Sequence, residues 1–410
     1  MNQPGNPAYE HSVVVLIIFL GILHSLGAWS GDLFAPSLPL AADGLGVGDG
    51  QIQLNMTALL LGMAAGQLLY GPLSDRFGRR SMLSVGLTVY VLASVVCAFA
   101  GSLGELLAAR CLQGLGCAAG MVLARAIILD RWTGEAASTK LSSVTTVNFL
   151  APVVAPLIGG YLATLGHWSL VFWFHAVVGI FLLVGALTLL SSARGADREV
   201  SVASRFHAYA DVLRDRQALM FMGCIGMGHA GLMAFVTNSA FVFVTHLGLE
   251  PYEYGICFSA VMLGGVAGSL LNGYLVTKLG ISRMMTVGAA AIAVSGLAAA
   301  VLNLLVGGFW STLAPSICYM FGMAFILTNA VAQVLTRFRH VAGAAAALLG
   351  VSQLLFGALS AAILSMNETP SALPLAGALA VAGTGSATLW WVWLRPALRR
   401  AGAGHKSVRA

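Results

Sequence analysis

Apolar residues in this chain are gathered into long runs, and polar residues are confined to short breaks between them. A hydrocarbon core about 30 Å thick takes about 20 apolar residues of helix to cross. Runs of that kind fall near 11–35, 52–72, 81–101, 104–128, 141–163, 168–191, 218–246, 254–277, 284–306, 309–335, 342–365 and 374–395. The pattern predicts twelve membrane-spanning helices and an all-α membrane protein. Pro152, Pro156 and Pro315 lie inside these runs, a position that membrane helices accept better than soluble ones do. The first run is too long for a cleaved signal and has no clean small-residue cleavage site, so it reads as a retained helix.

The breaks carry the charge, and they alternate. With the connections numbered in order, the even ones hold Arg76, Arg79, Arg80, Arg131, Lys140, Lys278, Arg283, Arg337 and Arg339. The central linker holds Arg194, Arg198, Arg205, Arg214 and Arg216, and the C-terminal end of the chain holds Arg395, Arg399, Arg400, Lys406 and Arg409. The odd connections, near 36–51, 102–103, 164–167, 247–253, 307–308 and 366–373, hold no Lys or Arg. Basic loops stay on the cytoplasmic side. Both termini and the linker are therefore expected on the cytoplasmic side. The linker divides six spans from six, giving an N-terminal bundle 1–191, a linker 192–217, a C-terminal bundle 218–395 and a tail 396–410.

Composition changes this picture little and excludes a good deal. Of the 410 residues 58% are apolar and 9% charged, where soluble domains carry about 25% charged residues. Most of the surface must face lipid. The 49 glycines suit close helix contacts. The net charge of +6 forms no continuous basic patch, so nucleic acid is a poor partner. Cys97, Cys111, Cys117, Cys224, Cys257 and Cys318 all sit in apolar runs and read as small packing residues, with neither disulfide nor metal spacing. No glycine-rich phosphate loop with its Lys and no nucleophile elbow is present. An enzyme is not expected, and no cofactor is implied.

One polar break is more specific. Gly71-Pro72-Leu73-Ser74-Asp75-Arg76-Phe77-Gly78-Arg79-Arg80 reads as a tight turn between the second and third spans. It resembles the loop of major facilitator superfamily transporters, whose form is G-x-L-[SA]-D-R-x-G-R-[RK]. Leu107, Arg110, Gln113, Gly114 and Gly116 resemble the fourth-helix motif of the proton-driven members. Ala155, Pro156, Gly159 and Gly160 resemble the antiporter motif G-P-x-x-G-G, with Ala155 as the one departure. Asp32, Pro36 and Pro39 resemble the end of the first helix in the Bcr/CflA group of bicyclomycin and chloramphenicol-type exporters. The resemblance implies two pseudo-symmetric six-helix bundles and a monomer. Gly273–Arg283 is a weak echo of the turn in the second half. Two facing halves of this kind are expected to hold substrate between them near the midplane.

Candidate residues follow from burial of charge. Asp32 is the one carboxylate well inside a span, and intramembrane acids are functional by default. Out of water, a lone carboxylate facing a cavity can hold a proton, so proton and cargo can compete for it. Arg110 is read as the one basic residue well inside a span, at a depth similar to Asp32, and as its partner in proton coupling. Gln113 lies on the same helix face. Asp32, Gln113, Asn55, Asn148, Phe149, Phe235 and Asn238 are the substrate-binding candidates. Gln67, His229, Asn272, Asn329, Gln333 and Gln353 are more readily interhelical hydrogen bonds, and His24 and His175 bonded interior histidines.

Gly71, Asp75, Arg76, Gly78, Arg79, Arg80, Asp130, Pro156, Gly159 and Gly160 are assigned to a conformational switch. Asp75 is positioned to cap a facing helix through its dipole. The resemblance implies that Arg76 pairs with Asp130. Pro156, Gly159 and Gly160 on the fifth span, with Gly264, Gly265 and Gly268 on the eighth, suit a close contact of the two halves. The expected activity is export of small, largely apolar, drug-like compounds such as antibiotics in exchange for protons. Export of a sugar, amino acid or other metabolite is the alternative, and a non-transporting receptor or scaffold a third reading.

Overall fold

The computed structural model describes residues 7–190, 202–367 and 371–398. Among these it is helical without strands, and twelve helices are long and apolar enough to cross a membrane. Fourteen α-helices follow in order: α1 Pro7–Asp32, α2 Leu38–Leu45, α3 Asp49–Phe77, α4 Arg79–Ala98, α5 Leu103–Arg131, α6 Gly134–Thr164, α7 Leu170–Leu189, α8 Val202–Arg214, α9 Arg216–Ala240, α10 Pro251–Leu279, α11 Ile281–Leu305, α12 Phe309–Arg337, α13 Ala342–Leu364 and α14 Ala372–Thr388. Arg194, Arg198, Arg399, Arg400, Lys406, Arg409 and the Arg205 side chain, which carry part of the charge pattern, lie outside the described residues.

Two predicted breaks prove to be largely helical. The first connection, expected near 36–51, continues as a 3-10 turn Ala35–Ser37 and then α2, so that the first span runs Val13–Leu45. Pro36 and Pro39 each sit in the first turn of a new helical segment, where the missing N–H is not needed. They interrupt the helix after Asp32 without ending the span. α2 stops at Gly46, in the left-handed region at φ 64°. The polar turn 71–80 is likewise mostly the last turns of α3, and Gly78 alone links α3 to α4. Its φ of 90° and ψ of 144° favour a residue without Cβ. The Gly78 N–H still donates to the Ser74 carbonyl at 2.9 Å.

The chain clusters into two compact units. The first comprises Met1–Val47 and Ala58–Ser204, the second Gly48–Thr57 and Arg205–Ala410. Residues 48–57, at the start of α3, are grouped with the second unit, and the rest of α3 with the first. Within the first unit α1 packs on α5 and α6, and α4 on α5 and α7. Within the second α9 packs on α12 and α13, and α11 on α12 and α14. These are the same four pairings, six spans later.

Small residues set the helix separations. A Cβ on Gly116 would lie 2.5 Å from the Tyr90 nitrogen, and one on Gly296 2.3 Å from the Leu379 carbonyl oxygen. Large apolar side chains such as Phe181 and Leu270 are 73% exposed, as residues in contact with lipid must be. Cys97, Cys117, Cys224 and Cys257 are buried, but Cys111 and Cys318 are exposed on their helices rather than packed inside.

Candidate functional site

The polar centre of the first unit is built from four helices around one guanidinium. Arg110 of α5 is fully buried. Its Nη1 donates to the Ser30 carbonyl of α1 at 2.8 Å and to Gln113 Oε1 at 2.7 Å. Gln113 Nε2 donates to Ser94 Oγ of α4 at 2.8 Å and reaches His175 Nδ1 of α7 at 3.4 Å. His175 Nε2 lies 3.3 Å from the Trp29 carbonyl. Since an amide nitrogen donates and a carbonyl accepts, His175 is the neutral tautomer with its proton on Nε2. Ser94 donates to the Tyr90 carbonyl and Ser30 Oγ to the Leu26 carbonyl, each at 2.7 Å. The Tyr90 hydroxyl therefore donates to Ser30 Oγ, 3.1 Å away.

Aromatic faces complete the enclosure. The Arg110 guanidinium carbon lies 5.4 Å from the Phe34 ring centre and 5.6 Å from that of Phe172, and the two rings are 4.7 Å apart. Charge-assisted hydrogen bonds stabilise by about 1.5–3 kcal/mol each, and desolvated cation–π contacts by about 2 kcal/mol. Together these offset the several kcal/mol of taking a guanidinium out of water. Arg110 Nε and Nη2 meet no hydrogen-bond partner among the described residues.

Asp32, 7% exposed, ends α1 two residues beyond the Ser30 carbonyl that Arg110 holds. No ion pair within 4.0 Å joins Asp32 and Arg110 in the described residues. The expected partnership is thus not a direct one: Nη1 of the guanidinium is taken by a backbone oxygen and by Gln113, and the Phe34 and Phe172 rings face its carbon. Gln113 also changes character. Its oxygen and both amide hydrogens are engaged inside the network, which leaves it no free donor for cargo.

The other candidates are distributed over both units. Asn55 donates to the Ile52 carbonyl at 2.6 Å while its Oδ1 is buried without a partner among the described residues, and Asn238 Oδ1 is in the same state. Phe235 is fully buried against Phe258, ring centres 5.4 Å apart. Asn148 is half-buried, and the side chain of Phe149 lies outside the described residues. Asn329 Nδ2 donates to Asn272 Oδ1 at 2.7 Å, an interhelical bond of the kind expected for this pair.

In the α3–α4 corner the arginines divide the work differently from expectation. Arg79, not Arg76, meets Asp130 at the end of α5, Nε to Oδ2 at 3.0 Å. Arg79 also pairs with Asp75 one turn back and donates to Ser74 Oγ. Its position just after Gly78 aims it back across the corner. Arg76 stacks on Phe77 at 5.2 Å, and Arg80 donates to the Leu187 carbonyl of α7 at 2.6 Å. Gly71 has open space around its Cβ direction. On α6, a Cβ on Gly159 would lie 2.0 Å from the Leu33 carbonyl oxygen. Gly264 and Gly268 abut Ile317 and Phe321 of α12. These three glycines serve contacts inside their own units, whereas the sequence reading assigned them to a contact of the two halves.

Sequence reasoning missed two groups. Ser30, Phe34, Tyr90, Ser94 and Phe172 gather around Arg110 from three spans, and no local pattern marks them; His175, expected as a bonded interior histidine, is one. Arg125 was also missed. It lies within the span Leu103–Arg131, so Arg110 is not the sole basic residue inside one. A charge three residues before the end of the apolar run 104–128 was the available signal.

Comparison with known proteins agrees with this architecture. The family model described as Major Facilitator Superfamily matches residues 17–363. A bicyclomycin resistance protein homolog of Haemophilus influenzae is 31% identical over 371 residues, covering 89% of this chain and 92% of that one. Multidrug resistance protein D of Escherichia coli is 28% identical over 340 residues, covering 82% and 85%. The solved structure of the xylose transporter XylE from E. coli, in a partially occluded inward-open conformation, superposes with a TM-score of 0.72. It is 13% identical and covers 94% of this chain and 98% of its own, a likeness that speaks to the fold. On the family match and these relatives, the chain is a transporter rather than an enzyme, and it belongs to the Major Facilitator Superfamily.

Proposed function

We propose that this transporter exports small, largely apolar, drug-like compounds, antibiotics among them, in exchange for protons. The observation that carries the proposal is Asp32: a buried carboxylate in the first span, outside ion-pair range of the buried Arg110 beside it. A carboxylate in such a place is cheapest to keep when protonated and has reason to be ionised only when another group replaces the proton. The names of the relatives, bicyclomycin resistance and multidrug resistance, support the choice of cargo class.

The working scheme is alternating access. Asp32 accepts a proton from the outside and releases it inside, and cargo binds while the acid is ionised. Each proton moving inward gains about 2.3 kcal/mol per 100 mV of membrane potential. The Arg110 network ties α1 to α4, α5 and α7 and so stiffens the helix that carries the carboxylate. The orientation that serves the scheme has both termini in the cytoplasm of a bacterial inner membrane, as the placement of basic residues suggests, with the chain acting as a monomer. The test is Asp32→Asn in inverted membrane vesicles carrying a pH-sensitive dye, with cargo chosen from an antibiotic susceptibility screen. Loss of cargo-driven proton movement is expected, and full proton-coupled transport by the variant sinks the scheme.

A further inference from the structure

A second basic cluster of the first unit lies at the other end of the α1–α5 crossing. The helices touch at Gly120, where a Cβ would stand 2.6 Å from the Leu23 carbonyl oxygen. Beside this contact His24 of α1 reaches across to α5. Its Nδ1 lies 2.9 Å from the Met121 carbonyl, and its Nε2 lies 3.0 Å from Arg125 Nη2. A guanidinium carries only donors and a carbonyl only accepts. His24 therefore donates from Nδ1 to Met121 and accepts at Nε2 from Arg125. The ring is 5% exposed and used at both ends, so its role is to hold the guanidinium.

Arg125 is held yet not enclosed. It is exposed, although it lies six residues before the end of its span, about 9 Å along the axis. Among the described residues no carboxylate approaches it within ion-pair distance, and His24 is its one hydrogen-bond partner. An arginine that merely snorkels would extend to the membrane surface, whereas this one is turned to a neutral acceptor on α1. A charge kept at this depth and presented outward belongs to a functional path. Next to it Met121 and Met63 close over Gly27, with a Cβ there 2.8 and 2.6 Å from their side chains. Thioether side chains adapt to varied apolar shapes. On α1, Asp32 lies eight residues beyond His24, about 12 Å along the axis, and makes no ion pair with Arg125 among the described residues.

We propose that Arg125, positioned by His24, is an anion-recognition site that docks the carboxylate or similar oxyanion of an amphiphilic cargo. The proposal rests on the export reading and narrows it: cargo with an apolar skeleton and one acidic group is preferred over its neutral counterpart. A planar guanidinium with a fixed orientation binds a carboxylate through two parallel hydrogen bonds.

The test is titration calorimetry of the full chain in phosphatidylcholine nanodiscs with a matched pair of probes, 2-naphthoate and 2-naphthamide. Arg125→Gln is expected to weaken 2-naphthoate by about tenfold or more and to leave 2-naphthamide nearly unchanged. Arg125→Lys keeps the charge without the fork and falls between. His24→Leu weakens 2-naphthoate to a lesser degree, and His24→Gln, which keeps an acceptor, restores it. Absence of 2-naphthoate binding to the native chain, or equal loss of both probes in Arg125→Gln, overturns the proposal. So does loss of bound phosphatidylglycerol in native mass spectrometry with 2-naphthoate affinity unchanged, an outcome that assigns Arg125 to a lipid headgroup. Asp32→Asn is run in parallel. If it keeps full proton-coupled export while Arg125→Gln weakens 2-naphthoate and spares 2-naphthamide, the coupling scheme fails and the anion site stands.

Discussion

Gly159→Ala is the sharpest test of how the first unit is assembled. The added methyl would stand 2.0 Å from the Leu33 carbonyl oxygen, against 3.4 Å for ordinary contact, so α6 and the end of α1 must part by up to 1.4 Å. The obstacle is backbone, so no rotamer change relieves it. Overpacking of this kind typically costs about 1–3 kcal/mol. Leu33 follows Asp32 directly, and the displaced segment therefore includes the carboxylate. Gly71→Ala is the control: nothing lies within 4 Å of that added methyl, and an alanine inside a helix gains up to about 1 kcal/mol over glycine. Equilibrium unfolding in mixed micelles, titrated with sodium dodecyl sulfate, compares the two. A Gly159→Ala protein as stable as the native chain would refute the argument and show α1 and α6 to be loosely apposed.

Two further outcomes are expected. Arg79→Ala should cost about 1 kcal/mol in the same unfolding assay, since it removes partly exposed ion pairs of modest worth, while Arg76→Ala should stay within about 0.5 kcal/mol; the reverse order would overturn the assignment of Asp130 to Arg79. At the start of α9, partial burial acts to raise the Asp215 carboxyl, but the Ala218 N–H and the Arg337 guanidinium outweigh it and hold the group below its ordinary value. A depressed carboxyl contributes stability above its unfolded value, about 3.9, and loses it as pH falls through the lower folded value. Asp215→Asn should thus lower stability at neutral pH and lose its effect in strong acid, and a difference that persists there would count against the pair.

The spans were legible because lipid leaves few alternatives. A run of about 20 apolar residues has to satisfy its own backbone, and only a helix does so within one segment. The ends of spans were less legible, since helix geometry does not stop where apolarity does: Pro36 and Pro39 looked like a loop and begin new helical turns, and the polar stretch from Gly71 to Phe77 stays helical. Arg110 was visible as a charge in an apolar run. Gln113 was visible on the same helix face, but Ser30, Ser94 and the aromatic pair Phe34 and Phe172 were not, because they come from spans far apart in the chain and are ordinary in their local context. The choice between Arg76 and Arg79 for Asp130 turned on the direction of one link, which no composition rule encodes.

That link is a single glycine, Gly78, standing between α3 and α4. Adding or deleting one residue there would rotate α4 by about 100° about its axis, carrying Arg79 away from Asp130 and Arg80 away from Leu187. Reporter tags, duplications and length variation should therefore be rejected at this joint even though it is polar and lies at the end of a helix. A corner normally tolerant of editing is here fixed in register by its brevity.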